Sequence, residues 1–123
     1  MYPQNIRILK DLYSLNLYEY IGHTNIECNV NIPDKNNLNN INIILRNDKW
    51  GYLHDKFTFN IVLPYYYPYE CPTIKCLNKI YLPHINNNGF VKLDIMNQWV
   101  NDNTLQDIIL ELIVVLDNPI IDD

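Results

Sequence analysis

The sequence predicts an α+β fold in which one antiparallel sheet is covered by a helix. Apolar residues recur three or four positions apart near both ends of the chain, and two positions apart between residues 26 and 63. No segment of helical length separates the alternating runs, so we expect the strands to follow one another as a meander. The length of 123 residues suits a single domain, 1–123, with one core.

The first element is predicted to be a helix over residues 4–16, with Pro3 at its start. Its inward stripe is Ile6, Leu9, Leu12, Tyr13 and Asn16. The side facing solvent is Arg7, Lys10, Asp11 and Ser14. This spacing is typical of a helix with one face on the core.

Four strands are predicted next, because one apolar position alternates with one polar position in each run. The inward residues are Ile26, Cys28, Val30 and Ile32, then Ile41, Ile43 and Leu45, then Phe57, Phe59, Ile61 and Leu63, then Ile74 and Cys76. Segments 33–40 and 47–53 are rich in Asn, Asp and Gly and are predicted to be turns.

The rest of the chain combines irregular segments with one strong helix. Three prolines within 64–72 exclude regular structure there, and residues 77–103 show little periodicity. Thr104 and Asp107 have the spacing of a capping box, and Pro119 favours an end to the helix that follows. The apolar stripe of that helix is Leu105, Ile108, Ile109, Leu112, Ile113 and Leu116. We expect it to cover the sheet.

Composition excludes several kinds of function. The net charge is −5 and the sequence contains no basic cluster, so we expect no nucleic-acid partner. No apolar run reaches the ~20 residues of a membrane helix, and the N-terminus lacks a signal-peptide pattern, which predicts a cytoplasmic or nuclear protein. Three cysteines and three scattered histidines predict neither a disulfide framework nor a metal or cofactor site.

The segment YLPHINNNGFVKLDIMNQW, residues 81–99, resembles the active-site run of ubiquitin-conjugating enzymes. The matching positions are Tyr81, Pro83, Ile85, Gly89, Val91, Leu93, Asp94, Ile95 and Trp99. Segments 7–17 and 56–76 resemble the family's first helix and its third strand, Pro-rich loop and fourth strand, and look most like the branch that conjugates the ubiquitin-like modifier of cullins. The resemblance implies that family's fold, ending before its last two helices.

The resemblance also implies a changed active site. The family's catalytic cysteine falls on Lys92, and its His-Pro-Asn tripeptide falls on Leu82, Pro83 and His84. A thiol carries the modifier as a thioester, whereas an amine would form a stable amide. Three interpretations of Lys92 stay open: a solvent-exposed lysine left after activity was lost, an acceptor of a modifier, and an engineered trap. For His84 we expect a hydrogen bond to the loop backbone rather than a role as a base.

Further site residues follow from the same resemblance. Asp123 falls on the family's acidic position near the incoming lysine. The residues predicted to bind partners are Arg7, Lys10, Leu63, Tyr65, Tyr66 and Val100. Tyr67 and Tyr69 are predicted to pack on the core. Cys71, beside Glu70, and Cys76, on an apolar strand face, are predicted to be inert.

Three functions are compatible with these residues. The first is an inactive conjugating-enzyme variant that binds a ubiquitin-like modifier, an activating enzyme, a ligase or an active conjugating enzyme. The second is a divergent active enzyme that transfers ubiquitin or the cullin modifier. The third is an adaptor that binds short peptides. A charging assay read with and without reductant distinguishes the second function from the other two.

Overall fold

The computed structural model describes residues 3–13, 26–47, 56–79 and 82–117, with the side chains of 7–12 in the first range and of 82–116 in the last. The elements are α1 (Pro3–Tyr13), β1 (Glu27–Asn31), β2 (Asn40–Arg46), β3 (Lys56–Val62), β4 (Thr73–Cys76), α2 (Asp94–Asn97) and α3 (Leu105–Asp117). Asp123, Tyr81 and most of the predicted turn 47–53 lie outside the described residues. The predicted order of helix, four strands and final helix is confirmed.

The four strands form one antiparallel sheet in the order β1-β2-β3-β4, as the alternating runs predict. Ile43 pairs with Val30 on one side and with Phe59 on the other. The inward residues of β2, β3 and β4 are all buried. β1 differs, because Val30 is 39% exposed at the edge of the sheet. Val30 nevertheless lies on the inner face, as predicted, because it is the cross-strand partner of the buried Ile43.

The final helix closes the core as predicted. All six residues of its apolar stripe are buried and belong to the same core as the inward side chains of the sheet. The Thr104 amide donates to Asp107 Oδ2 at 3.0 Å, and the Asp107 amide donates to Thr104 Oγ1 at 3.4 Å. This reciprocal pair is the predicted capping box. The four-residue helix α2 was not predicted, because one turn is too short to show periodicity.

The facing of α1 corrects the sequence-based prediction. Ile8 is fully buried and Asp11 is 4% exposed, whereas Leu9 and Leu12 are half-buried. Asp11 and Arg7 were assigned to the solvent side, yet Arg7 Nε donates to Asp11 Oδ1 at 3.0 Å in a partly buried ion pair. A buried carboxylate is tolerated where it is paired and hydrogen-bonded. The spacing of apolar residues alone therefore predicted the wrong buried face for this helix.

Candidate functional site

The segment before α2 exposes the Lys92 side chain to solvent. The Lys92 amide donates to the His84 carbonyl at 2.7 Å, and Ile85 forms an antiparallel bridge with Val91. Val91 and Leu93 are buried on either side of Lys92, which is exposed. In extended backbone neighbouring side chains point in opposite directions. The burial of both neighbours therefore directs the Lys92 side chain to solvent.

The turn that precedes Lys92 is shaped by one asparagine and one glycine. Asn86 Oδ1 accepts from the amides of Asn88 and Phe90, both at 2.9 Å. Gly89 has a φ of 89°, and a Cβ there would lie 3.2 Å from the Cys76 carbonyl oxygen. Glycine adopts this left-handed conformation without the steric penalty of other residues. The Cys76 amide also donates to the Gly89 carbonyl at 2.8 Å, which joins the turn to β4.

The predicted tripeptide lies beside Lys92 but forms no visible catalytic arrangement. Leu82 packs against the core, Pro83 is exposed, and the Leu82 carbonyl accepts from the Ile85 amide at 3.0 Å. His84 Nδ1 is buried and has no hydrogen-bond partner among the described residues. The predicted bond from the imidazole to the loop backbone is therefore not found at Nδ1.

A second structured region surrounds Arg7 and links α1 to the Pro-rich loop 64–72 and to the loop 99–104. We call Arg7, Asp11 and Tyr67 the Arg7 cluster. Besides Asp11, Arg7 donates to the carbonyls of Asn101 at 3.1 Å and Asn103 at 2.7 Å. Its guanidinium carbon lies 5.8 Å from the centroid of the Tyr67 ring. The Tyr67 hydroxyl donates to Asp11 Oδ2.

These contacts change the role predicted for Arg7. Its side chain is 24% exposed, and its donors are directed at groups of the same chain. Guanidinium groups suit such planar, multiple hydrogen bonding. Arg7 is therefore an internal anchor of the loop 99–104 rather than a free docking cation, whereas Lys10 on the same helix is exposed as predicted.

Four exposed apolar residues lie on the two loops that the Arg7 cluster and Trp99 connect. Trp99 Nε1 donates to the Pro68 carbonyl at 2.7 Å. Tyr69 and Val100 are the residues that directly follow these two hydrogen-bonded residues in the sequence. We call Tyr65, Tyr66, Tyr69 and Val100 the tyrosine–valine surface; their exposed fractions are 66%, 61%, 75% and 56%. Exposed tyrosines and aliphatic residues favour protein contacts.

Two sequence-based predictions are wrong in this region, one about packing on the core and one about partner binding. Tyr67 is buried, as predicted, but Tyr69 is exposed and does not pack on the core. Leu63, predicted to bind partners, is only 2% exposed because it continues the inward alternation of β3. The sequence does not predict which of these tyrosines are exposed, because the three prolines of the loop prevent regular structure and leave no periodic pattern.

An open groove of about 530 Å³ runs between α2 and α3. Three carboxylates line it, Asp94, Asp107 and Glu111, with Ile95 and Leu110 among the apolar residues. Glu111 Oε2 accepts from the Ile95 amide at 3.1 Å, and this bond fixes the start of α2 to α3. Lys92 is not among the residues that line the groove.

None of the three cysteines has the environment of a reactive thiol. Burial raises the pKa of Cys28 to about 11. Burial also raises the pKa of Cys71 and of Cys76, although a backbone hydrogen bond at Asn78 partly offsets the effect for Cys76. Thiolates are the reactive form, so a raised pKa makes these thiols inert. At Cys71 the cause is burial rather than the neighbouring Glu70.

Two other kinds of site receive no support from the described residues. They contain no cluster of three or more His, Cys, Asp or Glu side chains that could hold a metal ion. None of the helices described is long and apolar enough to cross a membrane.

Comparison with known proteins identifies relatives over most of the chain. A family model described as "Ubiquitin-conjugating enzyme" matches residues 7–123. A probable NEDD8-conjugating enzyme, Ubc12-like, of Arabidopsis thaliana is 33% identical over 105 residues, which are 81% of this chain and 53% of the relative. The NEDD8-conjugating enzyme ubc12 of Schizosaccharomyces pombe is 36% identical over 96 residues, 78% of this chain and 50% of the relative. The chain thus spans about half the length of these relatives.

Solved structures share the architecture. Ubc12 of S. cerevisiae superposes with a TM-score of 0.73 and 31% identity, covering 94% of this chain and 62% of the other. Human ubiquitin-conjugating enzyme E2 G1 gives a TM-score of 0.77 over 95% of this chain and 97% of the other, at 20% identity. The second likeness is one of fold alone. The fold predicted from the sequence is confirmed.

Proposed function

Since the chain belongs to the ubiquitin-conjugating enzyme family, we propose that it is a conjugating-enzyme-like protein of the NEDD8 pathway that binds its partners without forming a thioester. The similarity to NEDD8-conjugating enzymes supports the pathway. The proposed partners are NEDD8 or another ubiquitin-like modifier, the activating enzyme, a ligase or an active conjugating enzyme. The cytoplasmic or nuclear location predicted from the sequence stays a prediction.

The observation that carries this proposal is the exposed Lys92 at the position we assign to the family's nucleophile. The Lys92 side chain is exposed, so an acyl group could reach its Nζ. Transfer of a modifier needs a nucleophile that first bonds to the acyl group of the modifier and then departs as a leaving group. A lysine acylated at Nζ becomes an amide, and an amide does not pass its acyl group to a second amine under mild conditions.

The surroundings of Lys92 support the same proposal. The buried His84 Nδ1 has no hydrogen-bond partner within the described part of the chain. Catalysis of acyl transfer depends on donors positioned at the developing oxyanion. The three cysteines, whose pKa values burial raises, offer no replacement nucleophile.

Binding, by contrast, is supported by the tyrosine–valine surface. Its two loops are joined by the Trp99–Pro68 hydrogen bond and anchored to α1 by Arg7. Pre-ordered loops lose little entropy when a partner binds. We assign the ligase or another protein of the pathway to this surface, with Tyr69 added to the residues that the sequence indicated.

A charging assay tests the proposed lack of activity. The chain is incubated with activating enzyme, ATP, and NEDD8 or ubiquitin, and the products are separated with and without reductant. An active conjugating enzyme of the family is the positive control. We expect no adduct that reductant removes. A reductant-sensitive adduct on this chain would establish the divergent active enzyme instead.

Restoring a thiol should not restore ordinary activity. We expect Lys92→Cys to transfer its modifier to free lysine about a hundredfold or more slowly than the active control, because positioned donors are lacking. The measurement is single-turnover discharge of any thioester formed. Discharge at the rate of the control enzyme would show that Lys92 is the sole defect.

The peptide-binding alternative is favoured by the open groove between α2 and α3. A pull-down distinguishes it from the main proposal. Tyr66→Asp, on the tyrosine–valine surface and outside the groove, should abolish capture of pathway proteins, and Leu110→Asp in the groove should leave it unchanged. The opposite pattern would assign binding to the groove.

A further inference from the structure

We propose that the free edge of β1 pairs antiparallel with the same edge of a second copy of this chain and so joins two sheets into one. Among the described strands, β1 is paired on one side alone, with β2. Alternate residues of an edge strand direct their main-chain N–H and C=O groups away from the sheet, where another strand can bind them. The inference does not depend on the proposed function.

The β1 edge lacks the features that usually keep sheet edges apart. Lysine, proline and bulges are the common protection, and none of them occurs in Glu27–Asn31, which pairs with β2 without interruption. The opposite edge of the sheet differs, because Phe90 forms a bridge with Lys75 of β4. The chain itself thus covers part of the β4 edge, whereas no described strand covers the β1 edge.

The inner side of β1 leaves apolar surface for a partner to cover. Cys28 and Val30 are the cross-strand partners of Leu45 and Ile43. The two β2 residues are buried, whereas Cys28 is half-buried and Val30 is exposed. The core therefore thins out at β1, and a strand added to this edge would remove apolar surface from water on both copies.

A two-fold axis at Asn29 gives the register that uses the whole strand. Glu27 then lies opposite Asn31 of the second copy, and Cys28 lies opposite Val30 of the second copy. Each carboxylate meets a side-chain amide, and each apolar side chain meets another. A register centred on Glu27 would instead place two carboxylates opposite each other, which is destabilising. Because the same edge is used on both copies, assembly stops at the dimer.

The short edge predicts a weak dimer. A strand of five residues forms roughly four to six main-chain hydrogen bonds with an antiparallel copy. Stable interfaces bury about 1,200 Å² or more, and a single short strand covers less than that. We therefore expect monomers at about 1 μM and a substantial share of dimers at about 200 μM.

A disulfide on the two-fold axis tests both the contact and its register. In Asn29→Cys the two new thiols would face each other with Cα atoms about 4.5–5.5 Å apart, which a disulfide spans. We expect a covalent dimer after treatment with oxidised glutathione. Asn31→Cys is the matched control, because the two new thiols would lie about 13 Å apart along the strands. Equal amounts of dimer in both variants, or none in Asn29→Cys, would overturn the proposal.

Sedimentation velocity with reductant present measures the dimer without a cross-link. Between about 1 and 200 μM, the wild type should shift from monomer towards dimer, and Val30→Lys should stay monomeric because a lysine protects the edge. The control is Val62→Lys, the same change at an exposed position on β3, which should dimerise as the wild type does. Circular dichroism checks that each variant is folded, and if Val30→Lys is not, the Asn29→Cys cross-link decides. A wild type that stays monomeric, or a dimer lost in Val62→Lys but kept in Val30→Lys, would refute pairing through β1.

Discussion

The loops before and after α2 are held in different ways. The loop before α2, residues 82–92, is fixed by main-chain hydrogen bonds such as Lys92 to His84 and by the Asn86 turn within the loop itself. The loop after α2, residues 99–104, is fixed by side chains from distant elements. Arg7 reaches it from α1, and Trp99 reaches from it to the Pro68 carbonyl.

This difference explains why side chains of the first loop can be replaced without loss of its shape, whereas the shape of the second loop depends on particular side chains. Main-chain bonds survive most side-chain substitutions, so Lys92 can occupy its position without loss of the fold. The side-chain contacts of the second loop are specific, because neither lysine at position 7 nor a smaller ring at position 99 would reach the same acceptors. The position of Val100 therefore depends on particular side chains, those of Arg7 and Trp99.

The largest effect is expected in the core, which α3 shares with the inward side chains of the sheet. Leu112 is 1% exposed in the middle of its apolar stripe. Leu112→Ala should lower the free energy of unfolding by about 2–5 kcal/mol, through lost burial and a cavity. Chemical denaturation followed by circular dichroism measures it, with Val114→Ala, an exposed position on the same helix, as the control. Equal stabilities for both variants would contradict the packing of α3 on the sheet.

The next prediction concerns the second loop alone. Arg7→Ala leaves Asp11 buried without its ion-pair partner and should cost about 1–3 kcal/mol. In a Trp50→Phe background, Trp99 fluorescence should change as the loop 99–104 loosens, and quenching by acrylamide should increase. Lys10→Ala, which removes an exposed cation from the same helix, should change neither quantity. If Trp99 responded equally in both variants, the loop would not depend on Arg7.

The Arg7 cluster should also make stability sensitive to high pH. Burial, and then the hydrogen bond to Asp11, raise the pKa of Tyr67 above the usual value. The unfolded chain loses this proton near pH 10 while the folded chain keeps it. Stability from Tyr67 is therefore complete below about pH 10 and decreases as pH rises further. Denaturation between pH 9 and about 11 should show a smaller decrease for Tyr67→Phe than for the wild type, whereas Tyr65→Phe at an exposed position should behave as wild type.

The sequence predicts the elements of this molecule better than its polar contacts. Strands β2–β4 and α3 were placed correctly because their apolar side chains repeat at the period of each structure. Asp11 was misplaced because its burial depends on Arg7 and on the Tyr67 hydroxyl, which is 56 residues away. The spacing of Arg7 and Asp11, four residues apart on a helix, is the one local signal that indicated their pairing.

The candidate site was predicted only in part for the same reason. The exposure of Lys92 agrees with the sequence-based interpretation, but periodicity says nothing about the exposed Tyr69 or the buried His84 Nδ1. Strand register, which brings Arg46 opposite Lys56, is likewise not visible in the sequence. Such juxtapositions depend on the pairing of strands and are not encoded in any short segment.

The smallest effect is expected at Lys92. Its side chain is exposed, and the hydrogen bond of this residue to His84 uses the main chain. Lys92→Ala should therefore change the free energy of unfolding by less than about 0.5 kcal/mol and leave Trp99 fluorescence unchanged. The control is Leu93→Ala, at the buried neighbouring position, which should cost about 2 kcal/mol or more. A loss of stability in Lys92→Ala comparable with that of Arg7→Ala would show that the first loop also depends on its side chains, and the contrast between the two loops would then fail.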